Sequence, residues 1–288
     1  MFTITFKNDV NSLAAGTDKT TAKKVTVIAA YKDNGGADQL IAVDLSVRDC
    51  NCGCPVNTTS GGWITFMCYN LGADPNMTID QQIAYEPSGD TDATVFGDLY
   101  QWGRRTDGHE KRTNTGKTTM TSPTDVVVHS DYITVLDWRS PPNPAMWGAT
   151  KTANDPCPAG WRVPTYSEWR SIFNDEGDLG TGGQKNDQAT ANEWIRKINY
   201  GSNPTGTSGF AIRPYSLSEP TLFIPSTSVR NANTGNLNPT NENGYYWGSS
   251  VDGNNSHSIY ISSTNQTVNV HGFIPRGWGC SVRCVAEN

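Results

Sequence analysis

Residues 157–173 read CPAGWRVPTYSEWRSIF, and this stretch decides how the fold is interpreted. Thr165 and Glu168 stand three residues apart, so each side chain can accept a hydrogen bond from the other's backbone N–H. This capping box predicts a helix that begins at Thr165. Trp169 and Ile172 follow at the spacing of one buried helix face. The segment therefore predicts a helix that packs on a sheet.

A second capping box lies further along the chain. Thr190 and Glu193 have the same spacing, Trp194 and Ile198 follow, and Gly201 supplies a stop signal. The sequence therefore predicts two helices, both after the Cys-Pro-Ala-Gly-Trp motif.

The composition favours turns and aromatic-anchored loops over long helices. The chain of 288 residues has 28 Gly, 16 Pro, 9 Trp and 11 Tyr, with only 17% charged residues. Its net charge is −6 and no run of Lys or Arg is present, which argues against nucleic acid as a partner. No apolar stretch is long enough to predict membrane insertion.

The N-terminal part predicts a β segment. Lys24–Tyr31 and Leu40–Val47 are rich in β-branched and apolar residues and flank a turn-rich stretch, so we expect a hairpin. Thr3–Phe6 adds a third strand, and three strands are too few for a complete sandwich. We interpret residues 1–56 as a partial immunoglobulin-like segment and residues 57–288 as the main, ligand-binding domain.

The rest of the main domain divides into loops and strands. Residues 58–155 contain many Gly, Pro, Asp and Thr, which predicts short strands joined by long ordered loops. The last third alternates like antiparallel strands, and we expect strands at Gly244–Gly248, Ser258–Ser262, Thr267–Val270 and Ser281–Val285.

Four separated motifs resemble one known family. They are Phe66–Asp74 (FMCYNLGAD), Asp98–Arg104 (DLYQWGR), Cys157–Pro164 (CPAGWRVP) with Glu168-Trp169, and Tyr245-Tyr246-Trp247 through Ser281–Val285 (SVRCV). The family is the Fibrobacter succinogenes major paralogous domain, common in exported proteins of Bacteroidetes. The resemblance spans roughly residues 60–286, and four motifs in order are more specific than any one of them.

The resemblance implies an α+β fold of the C-type-lectin-like kind, with two helices, a twisted antiparallel sheet and long loops that present a binding surface. In such folds a cystine ties the start of the first helix to the last strand. Cys157 and Cys284 occupy those places, so the resemblance implies that they form a disulfide.

The cysteines indicate export from the cytosol. Seven are present, an odd number that leaves at least one unpaired within the chain. Cys50, Cys52, Cys54 and Cys68 could form a zinc site, but Cys-x-Cys-x-Cys is cramped for a metal knuckle. We favour a disulfide from Cys68 to one of the other three, and we expect no bound metal.

Calcium-dependent sugar binding is an alternative that the motifs do not favour. Calcium-dependent lectins resemble one another in a Glu-Pro-Asn or Gln-Pro-Asp loop and a Trp-Asn-Asp strand. This chain has Glu86-Pro87-Ser88, Glu219-Pro220-Thr221 and Trp247-Gly248-Ser249, and each lacks an expected ligand. We therefore expect no cofactor.

One charged motif could suggest a catalytic centre. His109 and Glu110 stand next to each other after Trp102 and several charged residues. We favour a structural role, in which Trp102 is buried while Arg104, Arg105 and Asp107 hold loop carbonyls and carboxylates.

The predicted ligand-binding face lies near the C-terminus, where aromatic, Asn and His residues crowd short strands. Its opposing interpretation is that the aromatics are core and the Asn residues form turns. We expect at least half of this set to be exposed. The candidate residues are Tyr246, Asn254, Asn255, His257, Tyr260, Asn265, Asn269, His271, Phe273, Ile274, Arg276 and Trp278.

The sequence thus predicts a non-enzymatic, extracellular or cell-surface adhesion protein that binds a protein or glycan on a cell or host surface. The C-terminal end also resembles the variable region of retroelement-diversified proteins, although Trp278 cannot arise from an Asn codon by adenine changes alone. A reverse transcriptase gene beside a near-copy of this coding segment would establish that hypothesis. Three alternatives stay open: a phage receptor-binding protein on the virion, a formylglycine-generating-type enzyme using Cys280 and Cys284, and a structural stalk-capping domain.

Overall fold

The chain divides into two compact units, Met1–Cys50 and Asn51–Asn288. The computed structural model describes residues 23–32, 36, 38–47, 53–173, 177–178, 184–187, 192–197, 206–239, 242–265 and 267–287.

The first unit contains the predicted hairpin. Strands β1 (Lys23–Lys32) and β2 (Asp38–Val47) pair antiparallel along their whole length. The predicted third strand, Thr3–Phe6, lies outside the described residues.

The second unit consists of short elements in close succession. Its first half contains β3 (Gly53–Asn57), β4 (Trp63–Met67), α1 (Ile79–Ala84), β5 (Tyr100–Gln101), β6 (Lys117–Thr118), β7 (Tyr132–Ile133), β8 (Trp161–Arg162) and α2 (Tyr166–Ile172). Its second half contains β9 (Gly177–Asp178), β10 (Gln184–Asp187), β11 (Asn192–Lys197), β12 (Gly209–Pro214), β13 (Leu222–Pro225), β14 (Asn243–Asp252), β15 (Asn255–Ser262), β16 (Thr267–Pro275), β17 (Gly279–Cys280) and β18 (Val285–Ala286).

Five small sheets organise these strands. Three have four strands, in the orders β10-β11-β12-β13, β14-β15-β16-β9 and β3-β4-β18-β8. The other two pair β17 with β5 and β6 with β7. The second unit begins at Asn51 and includes strand β3, which pairs with β4. The domain start predicted at residue 57 therefore falls on the last residue of β3.

The expected α+β fold of the C-type-lectin-like kind is wrong. The described residues form several small sheets and two helices of only 6 and 7 residues, rather than two helices on one twisted sheet. The strands from Gly244 to Val270 are found close to their predicted positions and are longer than predicted. Of the stretch predicted as a strand at Ser281–Val285, only Val285 lies in a named strand, β18.

Asn192–Lys197, the described part of the second predicted helix, is strand β11, and long-range partners explain the difference. Thr190, Ile198 and Gly201 lie outside the described residues. Glu193 pairs with Arg213 on the neighbouring strand β12, with Arg213 Nε 2.7 Å from its carboxylate, rather than capping a helix. The Asn192 amide donates to Asn57 O at 2.9 Å and to Ile172 O at 3.3 Å. These contacts outweigh a local capping signal because they satisfy buried polar groups.

The first predicted helix, α2, is confirmed. The Thr165 side chain accepts from Glu168 N, and the Glu168 side chain accepts from Thr165 N, which completes the capping box. Trp169 and Ile172 are fully buried. Trp169 stacks on Phe66 with 5.0 Å between ring centroids, so the helix is fixed against the core.

Tryptophan side chains anchor the long loops. Trp102 and Trp247 are fully buried, and their indole N–H groups donate to Gly248 O at 3.0 Å and to Tyr100 O at 2.7 Å. Each ring thereby fills the core while its polar edge satisfies a carbonyl far away in the sequence.

Buried arginines serve the same purpose. Arg283 is fully buried and donates to Met67 O at 3.0 Å, Phe223 O at 2.9 Å and Asn70 Oδ1 at 2.8 Å. Burial lowers the pKa of its guanidinium to about 10, so it is still charged at neutral pH. One side chain therefore links the segment from Met67 to Asn70 with strand β13, which lies in a different sheet from β4.

Two disulfides complete the framework. Cys157 and Cys284 are bonded, as the family resemblance implies. Cys54 and Cys68 are also bonded, which confirms the preference for a disulfide and removes two ligands from the alternative zinc site. Closing the long loop between residues 157 and 284 stabilises the fold by about 4 to 5 kcal/mol in the chain-entropy model.

We predict that Arg283→Met lowers the free energy of unfolding by at least about 3 kcal/mol, because it leaves three buried acceptors without their donor. The control is Arg170→Met, on the exposed surface of α2, where a change within about 0.5 kcal/mol is expected. Urea unfolding of both variants measures the difference. Equal losses would contradict the role assigned to Arg283.

Candidate functional site

The twelve predicted ligand-binding residues lie on the C-terminal strands and their turns. Fewer than half of them are exposed, whereas the sequence predicts that at least half are. Three are exposed, six are half-buried and three are buried. The exposed ones are Asn254, Asn265 and Asn269; the half-buried ones are Asn255, Tyr260, His271, Phe273, Ile274 and Trp278; the buried ones are Tyr246, His257 and Arg276.

These residues lie on two opposite faces of the sheet, because successive side chains along a strand point in opposite directions. Phe273 contacts Tyr166 on α2, whereas its neighbour Ile274 packs against the core cluster around Trp102. The residues brought together in sequence are therefore separated into two surfaces.

The first surface, which we call the helix-side cluster, consists of Tyr166, His257, His271 and Phe273. The ring of Tyr166 lies 4.9 Å from that of His257, 5.7 Å from that of His271 and 5.9 Å from that of Phe273, measured between centroids. The Tyr166 hydroxyl is 2.5 Å from His271 Nδ1. Three of the four members, Tyr166, His271 and Phe273, are half-buried residues and so keep some contact with solvent.

His257 forms the buried base of the cluster. Its Nε2 donates to Val270 O at 2.8 Å, which leaves Nδ1 as a lone pair with no hydrogen-bond partner among the described residues. A Cβ at Gly248 would come 2.2 Å from this Nδ1, so only glycine fits there. Burial lowers the pKa of His257 to about 4, and the imidazole is neutral at physiological pH.

The second surface is a tyrosine pair on the opposite face. Tyr245 and Tyr260 lie 4.9 Å apart between ring centroids, and the Tyr260 hydroxyl donates to Asn243 Oδ1 at 2.9 Å. Exposed Asn269 lies opposite Tyr260 in the strand register. Burial, with Tyr260 nearby, raises the pKa of Tyr245 to about 12, so its hydroxyl stays protonated.

Two predicted binding residues are structural instead. Tyr246 is fully buried, and its hydroxyl donates to Pro225 O at 2.5 Å. Arg276 is buried over the ring of Trp102, 5.0 Å from its centroid, and donates to Gly253 O at 2.8 Å. Both residues are therefore buried rather than on the predicted binding face, and their polar groups hold loops and strand ends.

The remaining predicted residues border the two surfaces. Asn254 and Asn255 lie at the turn between β14 and β15, and Asn265 lies at the turn between β15 and β16. Ile274 and Trp278 are partly buried and pack against the core cluster around Trp102.

Sequence reasoning misses Tyr166 and Tyr245. Tyr166 is the first residue of α2, and no local pattern shows that this end of the helix meets β16. Tyr245 stands next to Tyr246, and the choice between them depends on which face of β14 is buried. The two adjacent tyrosines indicate that one of them faces the core, but only the strand register shows which one.

The charged motif around His109 forms a buried network. Arg104 holds the Asp107 carboxylate at 2.8 and 2.9 Å, and Asp107 in turn lies 2.6 Å from His109 Nδ1. His109 Nε2 accepts from Gln101 N at 3.0 Å, and burial lowers the pKa of His109. The predicted structural roles of Trp102, Arg104 and Asp107 are confirmed, whereas Arg105 is exposed.

Asp107, His109 and Glu110 together could supply metal ligands, since one ligand atom from each lies within 4.8 Å of the others. Both ring nitrogens of His109 are, however, already engaged by Asp107 and Gln101. The donor set therefore suits a loop-holding network better than a metal centre.

The helices in the described part of the chain are too short and too polar to cross a membrane. Together with the two cystines, the many short strands define a disulfide-stabilised, mostly β domain.

The chain belongs to the Fibrobacter succinogenes major domain family, whose profile matches residues 68–286. This match confirms the family that the four motifs resemble. Neither the curated proteins nor the solved structures contain a match to the chain.

We predict that the stability of the protein falls as the pH is lowered from 7.5 to 5, partly through His257. The pKa of His257 is about 6.5 in the unfolded chain and about 4 in the folded protein. Between these pH values the unfolded state binds a proton that the folded state does not, so lowering the pH favours unfolding. This contribution reaches about 2 kcal/mol at pH 5.

In His257→Gln, which keeps a donor for Val270 O, the pH dependence measured by urea unfolding should weaken by that amount. The control, exposed Leu217→Ala, removes no titratable group and should keep the wild-type slope. An unchanged slope in His257→Gln would contradict the prediction.

Proposed function

We propose that this chain is an extracellular ligand-binding or adhesion protein and that the helix-side cluster is its binding surface. The observation that supports this most is the grouping of half-exposed Tyr166, His271 and Phe273 around one another. Aromatic and imidazole side chains with both apolar faces and polar edges are typical of protein and glycan recognition.

The cluster is also rigidly supported. Tyr166 N donates to Ser250 Oγ at 2.9 Å, which ties the start of α2 to strand β14. The capping box and buried Trp169 fix the same helix. Little conformational entropy would be lost on binding, so a small surface can still give useful affinity.

Two disulfides favour an oxidising compartment, which is why we place the protein outside the cytosol, on a cell surface. The ligand that we propose is a protein or glycan displayed on a cell or host surface. The net charge of −6 argues against nucleic acid as the partner.

We further propose that the chain is not an enzyme of the formylglycine-generating type. Such an enzyme would need reactive thiols at Cys280 and Cys284, but Cys284 is in a disulfide. Cys280 is fully buried, and burial raises its pKa well above the ordinary value, which suppresses the nucleophilic thiolate.

We expect iodoacetamide to leave Cys280 and Cys284 unlabelled in the native protein, for these reasons of burial and bonding. Peptide mapping by mass spectrometry reads the result, with the urea-unfolded, reduced protein as the positive control. Rapid labelling of both residues in the native state would favour the enzyme.

We predict that replacing His271 and Phe273 together by Ala lowers binding at least about tenfold, because aromatic anchors dominate small interfaces. The effect is measured as binding of the fluorescently labelled wild type and variant to a glycan array and to cultured epithelial cells. Exposed Leu217→Ala, on a loop after β12, serves as the matched control.

Circular dichroism must show that the double variant still folds. The separate variant Tyr260→Ala tests the tyrosine pair on the opposite face. If that variant loses binding while the double variant keeps it, the helix-side cluster is not the binding surface.

A further inference from the structure

A concave surface lies between two loops. One wall is formed by Arg105, Thr106 and Asp107, and the other by residues 127–130. The cavity between them measures about 800 Å³ and opens to solvent. We call it the loop groove.

Arg104 fixes both walls of the loop groove from below. Its guanidinium holds the Asp107 carboxylate at 2.8 and 2.9 Å on one side and donates to His129 O at 3.3 Å and Asp131 O at 3.2 Å on the other. Arg104 is itself only 1% exposed. The spacing of the walls is therefore set by a buried charged group and does not need a ligand to form.

Asn114 joins the two loops that form the groove. Its amide donates to Gly108 O at 3.0 Å and to Ser130 O at 2.6 Å. The groove is thus a built feature of the fold.

Arg105 places a positive charge at the mouth of the groove, and the half-exposed Asp131 carboxylate lies next to the other wall, 3.9 Å from His129 Nδ1. The Asp107 carboxylate is occupied by Arg104 and His109. Arg105 is exposed, and no ion pair joins it to another described residue. His129 Nδ1 accepts from Asp131 N at 3.2 Å, so in the neutral ring Nε2 carries the proton and can donate to a ligand.

The polar and apolar groups beside Arg105 are suited to a sugar. Thr106 and Ser130 line opposite walls and are hydroxyl residues that can hydrogen-bond to sugar hydroxyls; the Thr106 hydroxyl also lies 3.4 Å from the Tyr100 hydroxyl. Val128 is 94% exposed and offers an apolar contact for the C–H face of a pyranose.

We propose that the loop groove binds a carboxylate-bearing sugar, a uronic acid, with its carboxylate on the Arg105 guanidinium. A planar guanidinium matches a carboxylate through two parallel hydrogen bonds, which a neutral sugar cannot provide. This site is independent of the helix-side cluster and adds an acidic-glycan specificity to the protein.

The test is calorimetric titration of the intact chain with digalacturonic acid and with the neutral disaccharide galactobiose, which has the same ring but no carboxylate. The acidic disaccharide should bind at least about tenfold more tightly, as expected for charge-assisted hydrogen bonds. Added salt should weaken its binding.

Arg105→Gln should lower the affinity for digalacturonic acid about tenfold or more, and Arg105→Lys should keep part of it. The control Arg170→Gln removes another exposed arginine, from α2, and should bind like the wild type. The His271→Ala, Phe273→Ala double variant should also bind digalacturonic acid normally, which separates this site from the proposed binding surface.

Three results would overturn the assignment. They are no detectable binding of digalacturonic acid, equal affinity for galactobiose, and undiminished binding by Arg105→Gln. Tighter binding of a tetraglutamate peptide through Arg105 would assign the groove to acidic peptides instead.

Discussion

Buried guanidinium groups replace strand pairing in the long loops of this domain, and the rest of the structure depends on them. Arg112 donates to Gly97 O and Thr227 O, and Arg230 donates to carbonyls of residues 111, 112, 114 and 235. Loop carbonyls buried without a donor would each cost about 1 to 3 kcal/mol. A planar cation with five donors satisfies several of them from one position, so loops with little regular structure can pack in the interior.

The same constraint positions the surfaces that can bind ligands. Arg104 sets the distance between the walls of the loop groove, and Arg276 ties the turn after β14 to the loop at Asp137. Helix α2 is fixed by Trp169 and brings Tyr166 to the end of β16. In each place a buried polar or aromatic group holds an exposed side chain in one orientation, which lowers the entropic cost of recognition.

Strand alternation decides which aromatic residues reach solvent. Tyr245 and Tyr246 are adjacent, yet one joins Tyr260 on a partly exposed face and the other is fully buried beneath α2. An irregularity in the pairing of β15 with β16 then turns His271 and Phe273 toward the helix. A group of residues that looks continuous in sequence becomes two surfaces with different chemistry.

Two kinds of feature were readable from the amino-acid sequence alone: those whose interacting residues are close in sequence, and those indicated by the order of several motifs. The capping box at Thr165 was readable because both partners lie three residues apart, and the hairpin β1–β2 was readable from its flanked apolar runs. The family, and with it the disulfide between Cys157 and Cys284, followed from four motifs in order. The remaining features depend on residues that are far apart in sequence and meet only in the folded chain. Glu193 lies in a strand because Arg213 lies beside it, and the loop groove exists because Arg104 joins two loops about 25 residues apart. Local propensity contains no record of such partners, because the free energy that selects them arises only when the chain is packed.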